Sequence, residues 1–367
     1  MNWRLLDLNG IPPLETQAIF HTVAQSISED PNLPNTLILC YPEEPLVSCG
    51  YHQVINEEVD LKRCQKKKIP VVRRYLGGGA VYLDSDQLFY QVINRQDTPG
   101  IPSLLDQYYR YLLKAPIATY QRIGIPAEFA PVNDIVVEGK KISGNGAGQI
   151  EQASVLTGNL IFDFNFDEMV KILKVPSEKF RDKVAKSLRE RLTTIKNELI
   201  DPPPRESIKE ILIEEFEKNL GVNLEQQNSL TSAERSLLEE IVAKYLTSDW
   251  LEDSTRRHPE FLEKRHVKIT AGSSIAQGVY KSPGGLIRLF IEIHENRIHE
   301  ILISGDFSIN PQKIIPEIEK SLVSTPIDTD SLQNTLETCF KENNIDSPGL
   351  SPSNLVKAIL VTLEPRR

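Results

Sequence analysis

VVRRYLGGGAVYLD, Val71 to Asp84, and NDIVVEGKKISGNGAGQ, Asn133 to Gln149, are the two stretches whose reading decides the fold. In the first, Arg73 and Arg74 close a strand, and Gly77, Gly78 and Gly79 then strip the following turn of side chains. Backbone N–H groups in such a turn can approach an anion closely, while the arginines supply fixed positive charge. A tight turn between solvated arginines would read the same way. No P-loop signature, GxxxxGK followed by Ser or Thr, is present, which argues against a P-loop nucleotidase. In the second stretch, Asn133 and Asp134 open a strand that turns at Glu138-Gly139. It returns through Lys140, Lys141 and Ile142 into Ser143, with Gly144, Gly146 and Gly148 beyond. Side chains alternate along a hairpin arm, so only one of the two lysines can face a site. A hairpin with two exposed lysines is the plain alternative.

Around these stretches, short apolar runs alternate with glycine and proline. Strands are expected at Thr36 to Cys40, Pro45 to Cys49, Lys68 to Arg74, Ala80 to Tyr82, Leu88 to Asn94, Asp134 to Glu138 and Asn159 to Phe164. Ile19, Phe20, Val23 and Ile27 recur at helical spacing in Ala18 to Ile27, and Leu104 to Leu113 and Phe166 to Leu173 read as further helices. The order lacks regular βαβ repetition. It predicts an α+β domain, a mixed β-sheet flanked by helices, rather than a doubly wound fold.

The character changes near Leu199. Pro202, Pro203 and Pro204 break any helix, and two new helices follow. The first carries Ile208, Ile211, Leu212, Phe216 and Leu220 and stops at Gly221. The second opens with Thr231 and Glu234 in capping-box spacing. The polar stretch LEDSTRRHPEFLEKRH after Trp250 reads as a connector. Beyond it, a hairpin turned at His294-Glu295-Asn296 and helices near Ile314 to Leu322, Ser331 to Lys341 and Ser353 to Val361 describe a small C-terminal α+β domain. The expected division is a large domain over 1–250, with a helical extension at 200–250, and a small one over 265–367.

Composition narrows the function. Lys plus Arg number 42 against 51 Asp plus Glu, a net charge of −9, which argues against a general nucleic-acid binder. The basic runs LKRCQKKKIPVVRR and KFRDKVAKSLRER are more often solvated faces, and few aromatics interleave them for base stacking. No run approaches 18 apolar residues, so no membrane span is expected. The opening MNWRLLDLNGIPPLE lacks the basic end and apolar run of a secretory leader. Cys40, Cys49, Cys64 and Cys339 are too dispersed for a zinc ribbon or redox pair, and a cytoplasmic protein with free thiols is expected. The six histidines show no metal-binding spacing.

Taken together, Arg73-Arg74, Gly77-Gly78-Gly79-Ala80-Val81-Tyr82, Asn133-Asp134 and Lys141-Ile142-Ser143-Gly144 resemble the lipoate–protein ligase family of the biotin/lipoate ligase fold. PLVSCGYHQVINEEVDL upstream, KYLTSDW before the connector and GGLIRLFIEIHENRIHEILISGDF near the end are similar to other parts of that family, including its accessory domain. The resemblance implies a two-step reaction. Lipoate attacks ATP to give lipoyl-adenylate and pyrophosphate, and the acyl group then passes to a lysine of a lipoyl carrier domain. The carrier would be a 2-oxoacid dehydrogenase E2 or glycine cleavage H protein, and the ligase a monomer.

The resemblance also implies roles. Lys141 would contact the acyl carbonyl and adenylate phosphate, where a preorganised cation stabilises developing oxygen charge. Arg74 would hold the phosphate side. Gly77, Gly78, Gly79 and Ala80, with Ser143 and Gly144, would line the lipoate–adenylate cleft. Asn133 and Asp134 match the family's Asn-Asp pair, and Asp134 is the expected carboxylate for Mg²⁺. Two positions depart from the pattern: Leu83 and Thr157 stand where many members carry histidine. The main rival is an ATP-independent octanoyl or lipoyl transferase of the same fold that works through a cysteine thioester. Its nucleophile would lie in the loop before Asp134, and Arg122 to Val132 contains no cysteine. Cys49 is expected to be a buried strand thiol. A biotin ligase is disfavoured because its glycine loop is richer in arginine.

Overall fold

The computed structural model describes residues 2–174, 178–252 and 273–364. Its strands are β1 (Asn2–Ile11), β2 (Thr36–Pro42), β3 (Leu46–Cys49), β4 (Val71–Arg73), β5 (Val81–Leu83), β6 (Gln87–Arg95), β7 (Glu128–Ala130) and β8 (Asp134–Val137). They continue with β9 (Lys140–Ser143), β10 (Asn145–Ile150), β11 (Ala153–Ile161), β12 (Asn223–Gln227), β13 (Ser273–Ser282), β14 (Gly285–His294) and β15 (Arg297–Gly305).

A six-stranded sheet of order β10-β11-β6-β2-β1-β12 forms the centre. Its β1–β2 and β1–β12 pairs are parallel and the others antiparallel, so the sheet is mixed, as expected. Period-two alternation feeds both faces. Leu37, Leu39, Leu88, Tyr90 and Val92 enter one core, while Ile38, Cys40, Phe89 and Ile93 enter the other. Two apolar faces need two covering layers. The helix Pro13–Glu29 covers one face with Ile19, Phe20, Val23 and Ile27. Helices Leu105–Leu112, Lys114–Arg122 and Arg205–Leu220 cover the other.

The helical extension is tied back to the sheet by a buried ion pair. Glu234 accepts from the Thr231 backbone in a capping box and also from Arg4 on β1, at 2.6 and 3.0 Å. Gly221 ends the preceding helix with φ of 65°, the left-handed conformation expected of a glycine stop.

Some expectations need correction. The strand predicted from Asn159 to Phe164 starts at Ala153 and ends at Ile161, because its antiparallel pairing with β6 runs from Ala153 opposite Arg95 to Ile161 opposite Gln87. Gly146 and Gly148, read as residues beyond a return strand, lie inside β10, paired with Thr157 and Val155 of β11. A methyl group on Gly148 would stand 3.0 Å from a Leu76 methyl, a tight contact between β10 and the glycine-loop segment. The segment Asn2–Ile11 carries no strand expectation, yet β1 lies between β2 and β12. The connector beginning at Leu251 lies almost wholly outside the described residues.

The C-terminal unit is an antiparallel sheet, β13-β14-β15, packed with helices Ile315–Leu322, Thr329–Glu342 and Pro352–Leu363. Ile287, Leu289 and Ile291 alternate inward along β14 and meet Phe307, Leu336 and Ile359 in its core. The unit docks through backbone and side chain alike. Gly305 N–H donates to the His52 carbonyl at 3.0 Å, Gly78 N–H reaches the Phe307 carbonyl at 3.4 Å, and the His52 and Phe307 rings stack at 5.1 Å. Asp346 accepts from Leu105 N–H at 2.7 Å, and Arg288 pairs with Glu58 at 2.9 Å. Among the described residues, no helix is long and apolar enough to cross a membrane.

Candidate active site

A cavity of about 420 Å³ opens where the glycine loop, the β8–β9 hairpin, β10, β11 and the C-terminal unit meet. The glycine loop owes its position to a strand crossing. β4 pairs parallel with one edge of β3 and β5 pairs antiparallel with the other, so the chain must pass over the end of β3 between Arg73 and Val81. That passage is tight. A methyl group on Gly50, just after β3, would stand 1.8 Å from the Gly78 carbonyl oxygen. One on Gly77 would stand 2.4 Å from the Phe307 carbonyl oxygen, and Gly78 has φ of 91°.

The two arginines divide their work. Arg73 is fully buried and donates to the carbonyls of Tyr51, Gln53, Trp250 and Leu251 at 2.6–3.0 Å. It anchors the end of the helical extension beneath the loop. Arg74 lines the cavity, but its guanidinium donates to the carbonyls of Ser48, Gly77 and Gly79 at 2.6–3.1 Å. Burial pulls its pKa down to about 10, which leaves it protonated at neutral pH. Arg74 therefore holds the glycine loop in shape, with the residue expected to grip phosphate bound to the loop's own carbonyls.

Lys141 on β9 faces the cavity while Lys140 is exposed, the division that strand alternation requires. Lys141 Nζ lies 2.6 Å from Asp134 Oδ1, and each side chain is a little over one-third exposed. Asn133 Nδ2 donates to the Asn145 carbonyl, and Asn145 Nδ2 returns a bond to the Asn133 carbonyl at 2.9 Å, lacing the residue that precedes β8 to the first residue of β10. Gly144 N–H donates to Asn159 Oδ1 at 2.8 Å, and Asn159 donates in turn to Gln87 at 2.8 Å.

Of the residues singled out from sequence, Arg74, Gly77, Gly78, Gly79, Asn133, Asp134, Lys141 and Gly144 line this one cavity. Ala80 and Ser143 do not. Ala80 packs beside the cluster around Val47 and Tyr82, and Ser143 is buried with its hydroxyl 3.2 Å from Tyr90. Leu83 and Thr157 both line it, beside the apolar Val81, Phe89, Ile161, Phe164 and Met169. Sequence reading misses these apolar residues, and Lys281 and Asp306 from the C-terminal unit; only the departures at Leu83 and Thr157 hint at this wall.

Among the described residues, no cysteine lines the cavity. Cys40, Cys49, Cys64 and Cys339 are all buried. Ser48 borders the cavity, whereas Cys49 points the other way into a core with Val47 and Tyr82, and burial pushes its thiol up to about 12. Among the described residues, no cluster of three or more His, Cys, Asp or Glu could hold a metal ion by itself. The Asp134 carboxylate, partly exposed in a cavity, does fit the way Mg²⁺ is held by one or two carboxylates together with substrate phosphates.

The model of the lipoyl protein ligase A/B catalytic domain matches residues 12–217, and that of the bacterial lipoate protein ligase C-terminus matches residues 278–359. Lipoate-protein ligase LplJ of Bacillus subtilis is 27% identical over 317 residues, covering 84% of this chain and 89% of that protein. Octanoyltransferase LipM of Kyrpidia tusciae is 28% identical over 272 residues, covering 68% of this chain and 97% of that protein. Among solved structures, the bipartite lipoate protein ligase of Thermoplasma acidophilum, described with its E2 lipoyl domain, superposes with a TM-score of 0.62. It is 29% identical and covers 69% of this chain and 96% of its own. A lipoate-protein ligase A bound with ATP superposes with a TM-score of 0.58 at 27% identity, covering 69% of this chain and 99% of its own.

Proposed function

Because this chain belongs to the lipoyl protein ligase A/B family, we propose that it is an ATP-dependent lipoate–protein ligase rather than a thioester-forming octanoyltransferase. The observation that carries the reading is a cavity with Lys141 paired to Asp134 and, among the described residues, no thiol on its wall. The match to a lipoate ligase C-terminus over 278–359 supports it, since LipM is covered almost completely by two-thirds of this chain. On this reading, residues 1–250 form the catalytic domain and 265–367 the accessory domain.

In the first step, a carboxylate oxygen of lipoate attacks the α-phosphorus of ATP. The bond to the bridging oxygen breaks and pyrophosphate leaves. Lys141 stabilises the charge that gathers on the α-phosphate oxygens, and its placement on a strand keeps that cation preorganised. Asp134 orients Lys141 and would hold Mg²⁺, which when bound neutralises phosphate charge. Leu83, Phe89, Ile161, Phe164 and Met169 would sheathe the acyl chain and exclude water from the mixed anhydride. In the second step, the neutral amine of a carrier lysine attacks the acyl carbonyl, AMP leaves, and the amine's surplus proton passes to solvent. A lipoyl domain of a 2-oxoacid dehydrogenase E2 or a glycine cleavage H protein is the proposed acceptor.

ATP–pyrophosphate exchange with free lipoate, and with octanoate alongside, tests the proposal. Acid-dependent exchange is expected. No exchange from folded protein, together with octanoyl transfer between carriers in the absence of ATP, would replace it with the transferase reading.

A further inference from the structure

Among the described residues, three cationic side chains line the cavity: Arg74, Lys141 and Lys281. Arg74 has committed its guanidinium to loop carbonyls, and Lys141 is paired with Asp134. Lys281 is exposed and makes no hydrogen bond or ion pair among the described residues. It comes from the C-terminal unit, at the end of β13, opposite Leu286 in the β13–β14 ladder.

The turn that presents Lys281 is braced. Ser282 Oγ donates to the Gly285 carbonyl at 2.8 Å, and Gly284 N–H donates to the Gly349 carbonyl at 2.7 Å. A methyl group on Gly284 would stand 2.6 Å from the Pro348 carbonyl oxygen, so the turn sits tightly on its support. Asp306 accepts from Leu286 N–H, which holds the adjoining strand ends together beside Gly79. These contacts hold the backbone that carries Lys281, while its exposed side chain keeps its charge uncommitted among the described residues.

We infer that Lys281 binds the terminal phosphates of the nucleoside triphosphate, so that the C-terminal unit supplies part of the nucleotide site. The inference rests on the ligase reading and deepens it. A nucleoside triphosphate carries several negative charges, whereas the acid substrate carries one; with Lys141 assigned to the α-phosphate and Arg74 committed to loop carbonyls, Lys281 is left for the terminal phosphates. Lysine suits this role as a compact point charge with three donors.

The test is nucleotide binding to the full-length protein, measured by calorimetry with ATP and AMP for wild type, Lys281→Ala and Lys281→Arg. Lys320→Ala, an exposed lysine elsewhere on the same unit, serves as control. Loss of one charged phosphate contact is expected to weaken ATP binding about ten- to a hundredfold in Lys281→Ala. AMP binding should shift less than about twofold on the same scale. Arginine should restore most of the ATP affinity. Equal weakening for ATP and AMP, or no change for either, would overturn the inference. The ligase reading fails separately: if wild type shows no acid-dependent pyrophosphate exchange but Lys281→Ala still loses ATP selectively, the phosphate site stands and the ligase assignment falls.

Discussion

Lys141 Nζ lies 2.6 Å from the Asp134 carboxylate, across the two arms of one β-hairpin that opens into the cavity. The pair is partly exposed, so its contribution to stability is small, roughly 0–1 kcal/mol. Its value lies in orientation. Lys141→Ala is expected to keep a wild-type melting temperature and to lose activity by about 100- to 1,000-fold, the usual effect of removing one oxyanion donor. Exchange and carrier-lipoylation assays, with a thermal melt, check this. Activity within a factor of about two of wild type would remove Lys141 from the mechanism.

The thiols should be silent. With all four cysteines buried and Cys49 raised to about 12, the native protein is expected to react negligibly with a thiol reagent at neutral pH. The unfolded chain should titrate all four. Cys49→Ala should retain activity at temperatures where it is folded. A folded but inactive Cys49→Ala would favour the thioester route.

Acid should destabilise the protein through His21. Burial, followed by the charges of Lys244 and Lys313, pulls its imidazole down to about 3, while the ring nitrogen Nδ1 lies 2.8 Å from the Tyr245 hydroxyl. As pH falls through about 6.5, the unfolded chain takes up the proton and the folded one does not. Stability is therefore complete above that pH and lost below it, by up to about 1.4 kcal/mol per pH unit. His21→Gln should flatten the melting temperature between about pH 6.5 and 5.

At lower pH, Glu234 adds its share. Burial alone would raise its pKa, but hydrogen bonds and charge from Arg4, with bonds from Thr231, outweigh burial and hold the carboxyl below its ordinary value. Its stabilisation is present above about pH 4.5 and lost as pH falls through the depressed folded value. Glu234→Ala leaves Arg4 buried without its partner, which typically costs about 3–5 kcal/mol. Denaturant melts at pH 7 measure that loss, and a cost below about 1 kcal/mol would show the pair to be dispensable.

Gly50→Ala should disturb the site from outside the glycine triplet. Its methyl group would meet the Gly78 carbonyl at 1.8 Å, so the glycine loop or β3 must shift. Overpacking of this kind costs about 1–3 kcal/mol, and a displaced loop should lower exchange at least tenfold, roughly the effect of a 1.4 kcal/mol change at the transition state. Normal activity would show that the loop tolerates the movement.

Much of this is legible in the residues. The glycine triplet, the Lys141 hairpin, the Thr231–Glu234 capping box and the Gly221 stop all act through local backbone geometry, which short-range sequence encodes. β1 and β10 are not. β1 carries charged residues such as Arg4, whose burial depends on Glu234, distant in the chain, and β10 is rich in glycine, which has low strand propensity. Both strands exist because neighbours in the sheet pair with them.

The sequence by itself determined the mixed α+β character, the family resemblance and that only one lysine of Lys140-Lys141 could face a site, because alternation and turn chemistry are local. Tertiary structure alone decided that Arg73 anchors a distant helix end while Arg74 braces the loop, and that Lys281 enters the cavity. Those outcomes depend on contacts between segments far apart in the chain, and such contacts are set by how whole layers pack.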